Sequence, residues 1–406
     1  MRAMKDSGIE WIGQIPKNWN VGKLGFFIEA LNGDRSSNYP SGNDLQDSGI
    51  PFLTSNNLES DVLSLNDCKY ISEEKYSAMS GLKVKIDDII YCLRGSVGKC
   101  SINKSINEGT VASSLMGIRC KGMHPDYLLY ILKSSIVETQ NSLFMNGTCA
   151  ANLSAENVCG YIVPIPYVHE QIKIAEYLIK RCTELDALIA AKEKTNALLK
   201  ERRQSIIYEA ITKGLNPDAP MKDSGIEWIG QIPEHWDMMR AKFFAEITNG
   251  SDPKTEGDIP VYGSGSESFR TCGEFKEGPV VLLGRKGATL HIPHYVEGKY
   301  WNVDTAFDVR TNEKICLLKF YYYASICFDY KLYISTTTLP SMTQYNYGNM
   351  VIPIPSIEEQ AEILKFIERK LSELDQVITA TEDNIQKLKE YRQSIIYEAV
   401  TGKIEV

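Results

Sequence analysis

Two short basic turns carry the side chains best suited to chemistry in this chain. Arg94-Gly-Ser-Val-Gly-Lys99 follows the apolar run Ile86-Asp-Asp-Ile-Ile-Tyr-Cys-Leu93, and Arg285-Lys-Gly-Ala-Thr289 follows Pro279-Val-Val-Leu-Leu283. Both read as a strand running into a glycine-containing turn. Glycine lets a backbone come close to a phosphate, and Arg or Lys bonds either phosphate oxygens or a guanine edge. Arg94, Ser96 and Lys99 are the donors of the first turn; Arg285, Lys286 and Thr289 are those of the second. Neither turn is a nucleotide-binding P-loop, because the first glycine of that pattern is missing and Cys100 stands where Ser or Thr is needed.

Four other loops are rich in short hydrogen-bonding side chains. They are Thr54-Ser55-Asn56-Asn57, Asn146-Gly-Thr148, Tyr262-Gly-Ser264-Gly-Ser266 and the segment from Thr336 through Thr337 and Thr338 to Ser341 and Thr343. Such residues read base edges or hold phosphates, although each loop taken singly has ordinary turn composition.

Catalytic and metal patterns are not found. His291 and His294 flank a proline, and the ten cysteines are scattered without a CxxC pair, which argues against zinc and for free thiols. Asn216-Pro217-Asp218 lacks the second proline and the aromatic residue of an adenine-methyltransferase loop. Glu297-Gly-Lys299 and Glu73-Glu-Lys75 have no acidic companions to make a nuclease metal site. The expectation is a chain with no catalytic residue, no metal and no bound cofactor.

Length suggests two to three domains, and composition is that of an ordinary soluble globular protein. Of 406 residues 43% are hydrophobic and 24% charged, which excludes collagen, wholesale disorder and a disulfide miniprotein. A net charge of −8 argues against gripping nucleic acid by bulk positive charge, leaving only local basic grooves. Phe320 to Phe328, the longest apolar stretch, is too short to cross a bilayer. The opening Met1-Arg-Ala-Met-Lys-Asp-Ser has no signal-peptide core, so a cytoplasmic protein without membrane partners is expected.

The elements that must position these turns are duplicated. Met4 to Pro16 (MKDSGIEWIGQIP) recurs unchanged as Met221 to Pro233, 217 residues on, each followed by a tryptophan, Trp19 and Trp236. At a second offset of 189, Pro164-Ile-Pro166 matches Pro353-Ile-Pro355, Glu170-Gln171 matches Glu359-Gln360, and RQSIIYEA recurs at Arg203–Ala210 and Arg392–Ala399. The chain is two turns of one cycle, about 4–213 and 221–402, with similar ends around dissimilar middles. Cyclic order predicts pseudo-twofold symmetry with the termini close together.

The shared regions 168–211 and 357–400 read as long helices. Leu185, Ile189, Lys192, Asn196, Leu199, Arg203, Ile206 and Ala210 step by four and three, as do Leu374, Ile378, Thr381, Ile385, Leu388, Arg392, Ile395 and Ala399. That is a coiled-coil seam, with polar Lys192 and Asn196 fixing register. Each Pro-Ile-Pro holds the approach extended, Ser356 with Glu359 predicts a capping box, and Gly214 and Gly402 suit helix exits. An antiparallel pair fits the cyclic order and makes a rod of roughly 60–65 Å. The middles, about 17–160 and 234–350, read as mixed and β-rich. Strands are expected at Ile50–Leu53 and Tyr345–Ile354, and helices at 125–141 and 314–328.

In this combination the chain resembles the specificity subunit of type I restriction–modification enzymes. The residues carrying the match are the doubled SGIEWIGQIP with its tryptophan, the strand-RGSVGK turn, and the Pro-Ile-Pro…Glu-Gln approach to each RQSIIYEA helix. The resemblance implies an α+β fold: two β-rich mixed target-recognition domains separated by two long helices that form an antiparallel coiled coil. Recognition domains are then expected at 1–166 and, with a linker, 214–355, and conserved helical regions at 167–213 and 356–406. It implies that each domain reads one half of a split, asymmetric double-stranded DNA site near Arg94–Lys99 and Arg285–Thr289. The helices would set the spacing and dock two methyltransferase subunits. Those partners would use S-adenosylmethionine to methylate adenine, and motor-nuclease restriction subunits would use ATP and Mg. Half-sites one helical turn apart, ~34 Å, lie within reach of the expected rod. The alternatives are a self-sufficient DNA methyltransferase or nuclease, whose motifs are missing, and a coiled-coil scaffold without DNA, which leaves two unlike β-rich domains unexplained.

Overall fold

The computed structural model describes residues 2–36, 38–145, 152–265, 267–335 and 339–406. They form two compact units, Met1–Lys192 with Asp383–Val406, and Glu193–Glu382. The division follows neither copy of the repeat. Both long helices, Val168–Lys213 and Ile357–Val400, pass from one unit into the other. Each unit therefore takes the start of one helix and the end of the other.

In the first unit the 13-residue block is a hairpin, Met4–Asp6 against Gln14–Pro16. Gly8 and Gly13 supply its positive φ values of 74° and 67°. Its Ile12 and Ile15, with the following Trp19, are buried, so the block anchors to the core through these side chains. Next, Asn20–Lys23 pairs with Ile162–Ile165, the strand carrying the first Pro-Ile-Pro. Between those two strands lies the variable middle. Its main sheet is antiparallel, in the order Ile28–Asn32, Leu115–Cys120, Ile89–Cys92, Cys100–Ile102. A second sheet has Ile50–Leu53 between Lys69–Ile71 and Thr110–Val111. All four residues of Ile89–Cys92 are buried. The expected strand starts late, at Ile89, because Asp87 takes φ 66° and the buried Asp88 carboxylate accepts from Arg119 Nε and Nη2 at 2.8 and 2.7 Å.

The second unit repeats this layout. Met221–Asp223 pairs with Gln231–Pro233, and Asp237–Arg240 with Val351–Ile354. The main sheet has the order Ala245–Asn249, Ala306–Thr311, Val280–Gly284, His294–Val296. Beside it, Ser268–Cys272, Ile259–Tyr262, Lys299–Asn302 and Lys276–Glu277 form a second sheet of four strands. The two middles, dissimilar in sequence, thus carry main sheets of one topology.

Two helical expectations and one strand need correction. Residues 125–141 make two helices, Pro125–Leu132 and Ser135–Phe144, because the chain turns out of the helix at Ser134, where φ is −84° and ψ 160°. In the second unit the helix within 314–328 is Leu318–Ile326. Tyr345–Ile354 is not one strand: Thr343 caps a short helix, Gln344–Asn349, by accepting from Asn346 N at 3.1 Å, and the strand is Val351–Ile354.

The helix approaches explain the Glu-Gln pair. Gln171 is buried, accepts from His124 N at 2.7 Å and donates to Pro166 O at 2.9 Å. Gln360 likewise accepts from Leu317 N at 2.8 Å and donates to Ile315 and Pro355 carbonyls. In both units one glutamine ties the long helix to the start of a helix from the middle. Ser356 Oγ caps Glu359 N at 3.2 Å as expected, but the Glu359 carboxylate turns to His235 and leaves the capping box half made.

Within the second unit Asn196 meets Glu382 at 3.1 Å and Arg203 meets Asp375 at 2.9 Å. One helix advances seven residues while the other retreats seven, so the pairing is antiparallel. In the first unit Arg392, the counterpart of Arg203, meets Asp186, the counterpart of Asp375, at 2.8 Å. The seam residues Ile189, Asn196, Ile206, Ile378, Ile385 and Ile395 are buried. Both helices end where the sequence placed their glycines, Gly214 at φ 71° and Gly402 at φ 69°. Against Gly214 lies Trp236, and against Gly402 lie Trp19 and Pro16. In the second unit the helix end runs straight into its hairpin. In the first, the same seat is filled by the far end of the chain, and Arg2 and Val406 line one cleft.

Arg392 also holds the first unit's variable part. The Asp61 carboxylate accepts from Arg392 Nη2 at 3.1 Å, Lys133 Nζ at 2.6 Å and Tyr130 Oη at 3.1 Å. Burial alone would raise this carboxyl, but the Lys133 and Arg392 charges outweigh it and hold the pKa below the usual value. Such a group stabilises above its unfolded pKa and loses that contribution as pH falls through the folded one. Asp61→Asn should therefore destabilise the chain by about 2 kcal/mol at neutral pH. In paired thermal melts, the gap between variant and wild type should shrink as pH falls below about 4.

Candidate functional site

The first basic turn is the loop of a β-hairpin. Ile89–Cys92 pairs with Cys100–Ile102, closing with Cys92 N to Lys99 O at 2.8 Å and Gly98 N to Cys92 O at 3.1 Å. Gly95 and Gly98 take φ of 77° and 88°, a region open mainly to glycine. The buried strand thereby lifts Arg94, Gly95 and Ser96 to the surface, all three exposed. Arg94 Nε donates to Asn152 Oδ1 at 3.1 Å, and the two residues form an antiparallel bridge. Lys99 is spoken for by an ion pair with Glu59 at 2.5 Å.

In the second unit the turn joins Val280–Gly284 to His294–Val296. The backbone bonds align it with the first. Leu93 N donates to Ser114 O and Leu93 O accepts from Leu153 N; Arg285 N donates to Thr305 O and Arg285 O accepts from Met342 N. Arg94 bridges Asn152, and Lys286 bridges Ser341. The counterpart of Arg94 is therefore Lys286, followed by Gly287 at φ 116° as Arg94 is by Gly95. Arg285 takes the place of the fully buried Leu93 and turns its Nη1 to the Asp304 carbonyl at 3.3 Å. Each turn's first basic residue therefore does not match the other's, a register difference of one that the strand ladder exposes.

Several expected residues gather here. Ser264 Oγ lies 3.5 Å from Thr289 Oγ1, and a Cβ on Gly287 would come within 3.0 Å of Ser264 Oγ. Ser341 closes the same cluster through Lys286. The Tyr262 ring lies 5.2 Å from that of His294, whose pKa is lowered by burial. His294 and His291 do not belong to any cluster of three metal-ligating side chains among the described residues. Asn146, Thr148, Ser266, Thr337 and Thr338 lie outside the described residues.

The Thr54–Asn57 loop is divided in its use. Asn57 is buried; its Oδ1 accepts from Thr54 N at 2.9 Å, and its Nδ2 donates to Ser64 O at 3.0 Å. It caps the turn Ser55–Asn57 and faces inward, whereas Asn56 is exposed. Missed from sequence were Asn152, the partner of Arg94, and Arg35, which lines the cleft that Arg94 borders. Nothing local marks either residue. Both lie far from Arg94 in the chain, and the sheet brings them there.

Two repeated α+β units thus each present a glycine-bearing basic hairpin. The chain matches the family model described as type I restriction modification DNA specificity domain over residues 16–201 and 233–390, and it belongs to that family. Among curated relatives, a putative type I restriction enzyme specificity subunit of Methanocaldococcus jannaschii is 23% identical, the alignment covering 97% of this chain and 96% of the relative. The EcoKI specificity subunit of Escherichia coli K12 is 20% identical, over 97% and 90%. A solved structure, from work on complex assembly and conformational transition of the type I R-M system, has the same fold. It aligns with a TM-score of 0.72 at 16% identity, covering 96% of this chain and 99% of that one.

The loop geometry separates neighbours in one motif. Asn57→Ala should cost about 2 kcal/mol, because buried backbone groups lose their partner. Asn56→Ala should change stability by less than about 0.5 kcal/mol. Urea unfolding of the two variants checks the contrast.

Proposed function

We propose that each unit reads one half of a split, asymmetric double-stranded DNA site. The chain then acts as the non-catalytic specificity subunit of a DNA adenine methyltransferase and restriction complex. The observation that carries this is the pair of like-built hairpins bearing unlike residues, Arg94-Gly-Ser-Val-Gly against Lys286-Gly-Ala-Thr. One topology used twice suits two half-sites, and different tips suit different sequences. The family match over both repeats and the specificity-subunit names of the relatives support the same reading.

In this proposal the long helices set the spacing of the half-sites and dock two methyltransferase subunits. S-adenosylmethionine belongs to those partners, and ATP with Mg to the restriction subunits. The acidic net charge of −8 fits a reader whose DNA affinity depends on its partners. No helix among the described residues is long and apolar enough to cross a membrane.

Mapping methylated adenines in DNA from cells carrying the chain with its partner subunits tests the reading. It should give a two-part motif with unlike halves around a fixed gap. A single uninterrupted motif, or methylation indifferent to deletion of the chain, would overturn it. The corrected alignment adds a contrast for duplex binding by the assembled complex. Lys286→Ala should weaken binding several-fold, and more than Arg285→Ala, whose guanidinium is turned toward a backbone carbonyl.

A further inference from the structure

The first unit contains six arginines. Four spend their guanidinium on a carboxylate: Arg2 on Glu170, Arg119 on Asp88, Arg181 on Glu184, and Arg392 on Asp61 and Asp186. Arg35 and Arg94 have no ion pair among the described residues, and both line one open cleft of about 270 Å³. The other four arginines of the unit are held in ion pairs; the two without one among the described residues stand together.

Both are held from behind. Arg94 is fixed through Nε on Asn152, which leaves its terminal nitrogens without a partner among the described residues. Arg35 follows Asp34, whose buried carboxylate accepts from Ser36 N at 2.6 Å and Ser80 N at 2.8 Å. Those bonds pin the backbone on either side of Arg35 while its side chain stays exposed. Asn32, Glu156 and Asn157 complete the polar lining. The Ser154 hydroxyl, and more weakly Arg35, hold the Glu156 carboxyl below its usual range, so it is an ionised acceptor at neutral pH.

The carboxylate decides what the cleft suits. A seat for phosphate would gain nothing from Glu156. A guanine–cytosine pair offers guanine O6 and N7 to guanidinium donors and the cytosine amino group to a carboxylate. We infer that this cleft reads a G·C pair within the half-site of the first unit, Arg35 and Arg94 facing guanine and Glu156 facing the cytosine amine. The inference rests on the DNA-reading function proposed above. The second unit shows that the position varies. The bonds Gly33 N to Leu115 O and Gly250 N to Ala306 O place Asp252 where the first unit has Arg35. Asp252 is paired with Arg270 there, and Lys286 and Ser341 replace Arg94 and Asn152. That set does not present the same donors, so its half-site should differ at this pair.

The test uses the full chain assembled with its methyltransferase subunits, selecting from a randomised duplex library. Wild type, Arg35→Ala, Arg35→Lys and Glu156→Gln are compared, with melting temperatures confirming that each folds. Wild type should require G·C at one position of one half-site. Arg35→Ala and Glu156→Gln should each relax that position alone, by roughly 5- to 150-fold. The other half-site should be unchanged, and Arg35→Lys should rescue only partly. If Arg35→Ala weakened all sequences equally and lowered the salt dependence, Arg35 would be a phosphate contact and the inference would fail. Wild-type preference retained in every variant would also overturn it, while leaving the two-half reading intact. A wild-type complex with no sequence preference would overturn that reading and the inference with it.

Discussion

The fold depends on an exchange between the two copies of the repeat. The arginine of each RQSIIYEA segment bonds the aspartate of the other copy, Arg392 to Asp186 in one unit and Arg203 to Asp375 in the other. A lone helix of more than forty residues cannot bury its own seam and needs a partner of equal length. The duplicate supplies one, and antiparallel pairing brings each helix end beside the other helix's beginning. Each hairpin block then docks on a helix end. Tyr397 Oη bonds Ile12 O at 3.1 Å, and its counterpart Tyr208 bonds Trp228 O at 2.9 Å. The chain covers the same seat once by continuity and once by its own terminus.

Where copies differ, the differences are local and consistent. Glu170 receives Trp19 Nε1 at 3.1 Å, but its counterpart Glu359 bonds His235, and Trp236 Nε1 has no hydrogen-bond partner among the described residues. Asp61 joins Arg392 in the first unit, while Arg203 in the second has Asp375 as its carboxylate. The shared frame keeps two bonds in both units: the buried glutamines Gln171 and Gln360 each accept from the start of a helix of the middle and donate to the proline carbonyl before the long helix.

The same division governs recognition. The main-chain bonds of Leu93 and Arg285, and the bridges of Arg94 and Lys286, correspond at the two hairpins, so those tip residues occupy equivalent positions on their sheets. Side chains there differ more freely than those of the strands beneath, because they lie outside the buried core. Arg94 and Lys286 are exposed, whereas the strands that lift them are buried.

The sequence by itself determined the duplication, the two seams with their glycine exits, and the basic hairpin tips. Each rests on local pattern: an identical 13-residue block, a four-and-three spacing, a glycine after an apolar run. Tertiary structure alone decided which tip residue matches which. It also moved Asn57 inward and split the expected strand at Tyr345–Ile354 through the Thr343 cap. It brought Arg35 and Asn152 to Arg94, from 59 and 58 residues away. The physical reason is that strand register and sheet neighbours are set by pairings between distant segments, and no local spacing encodes them.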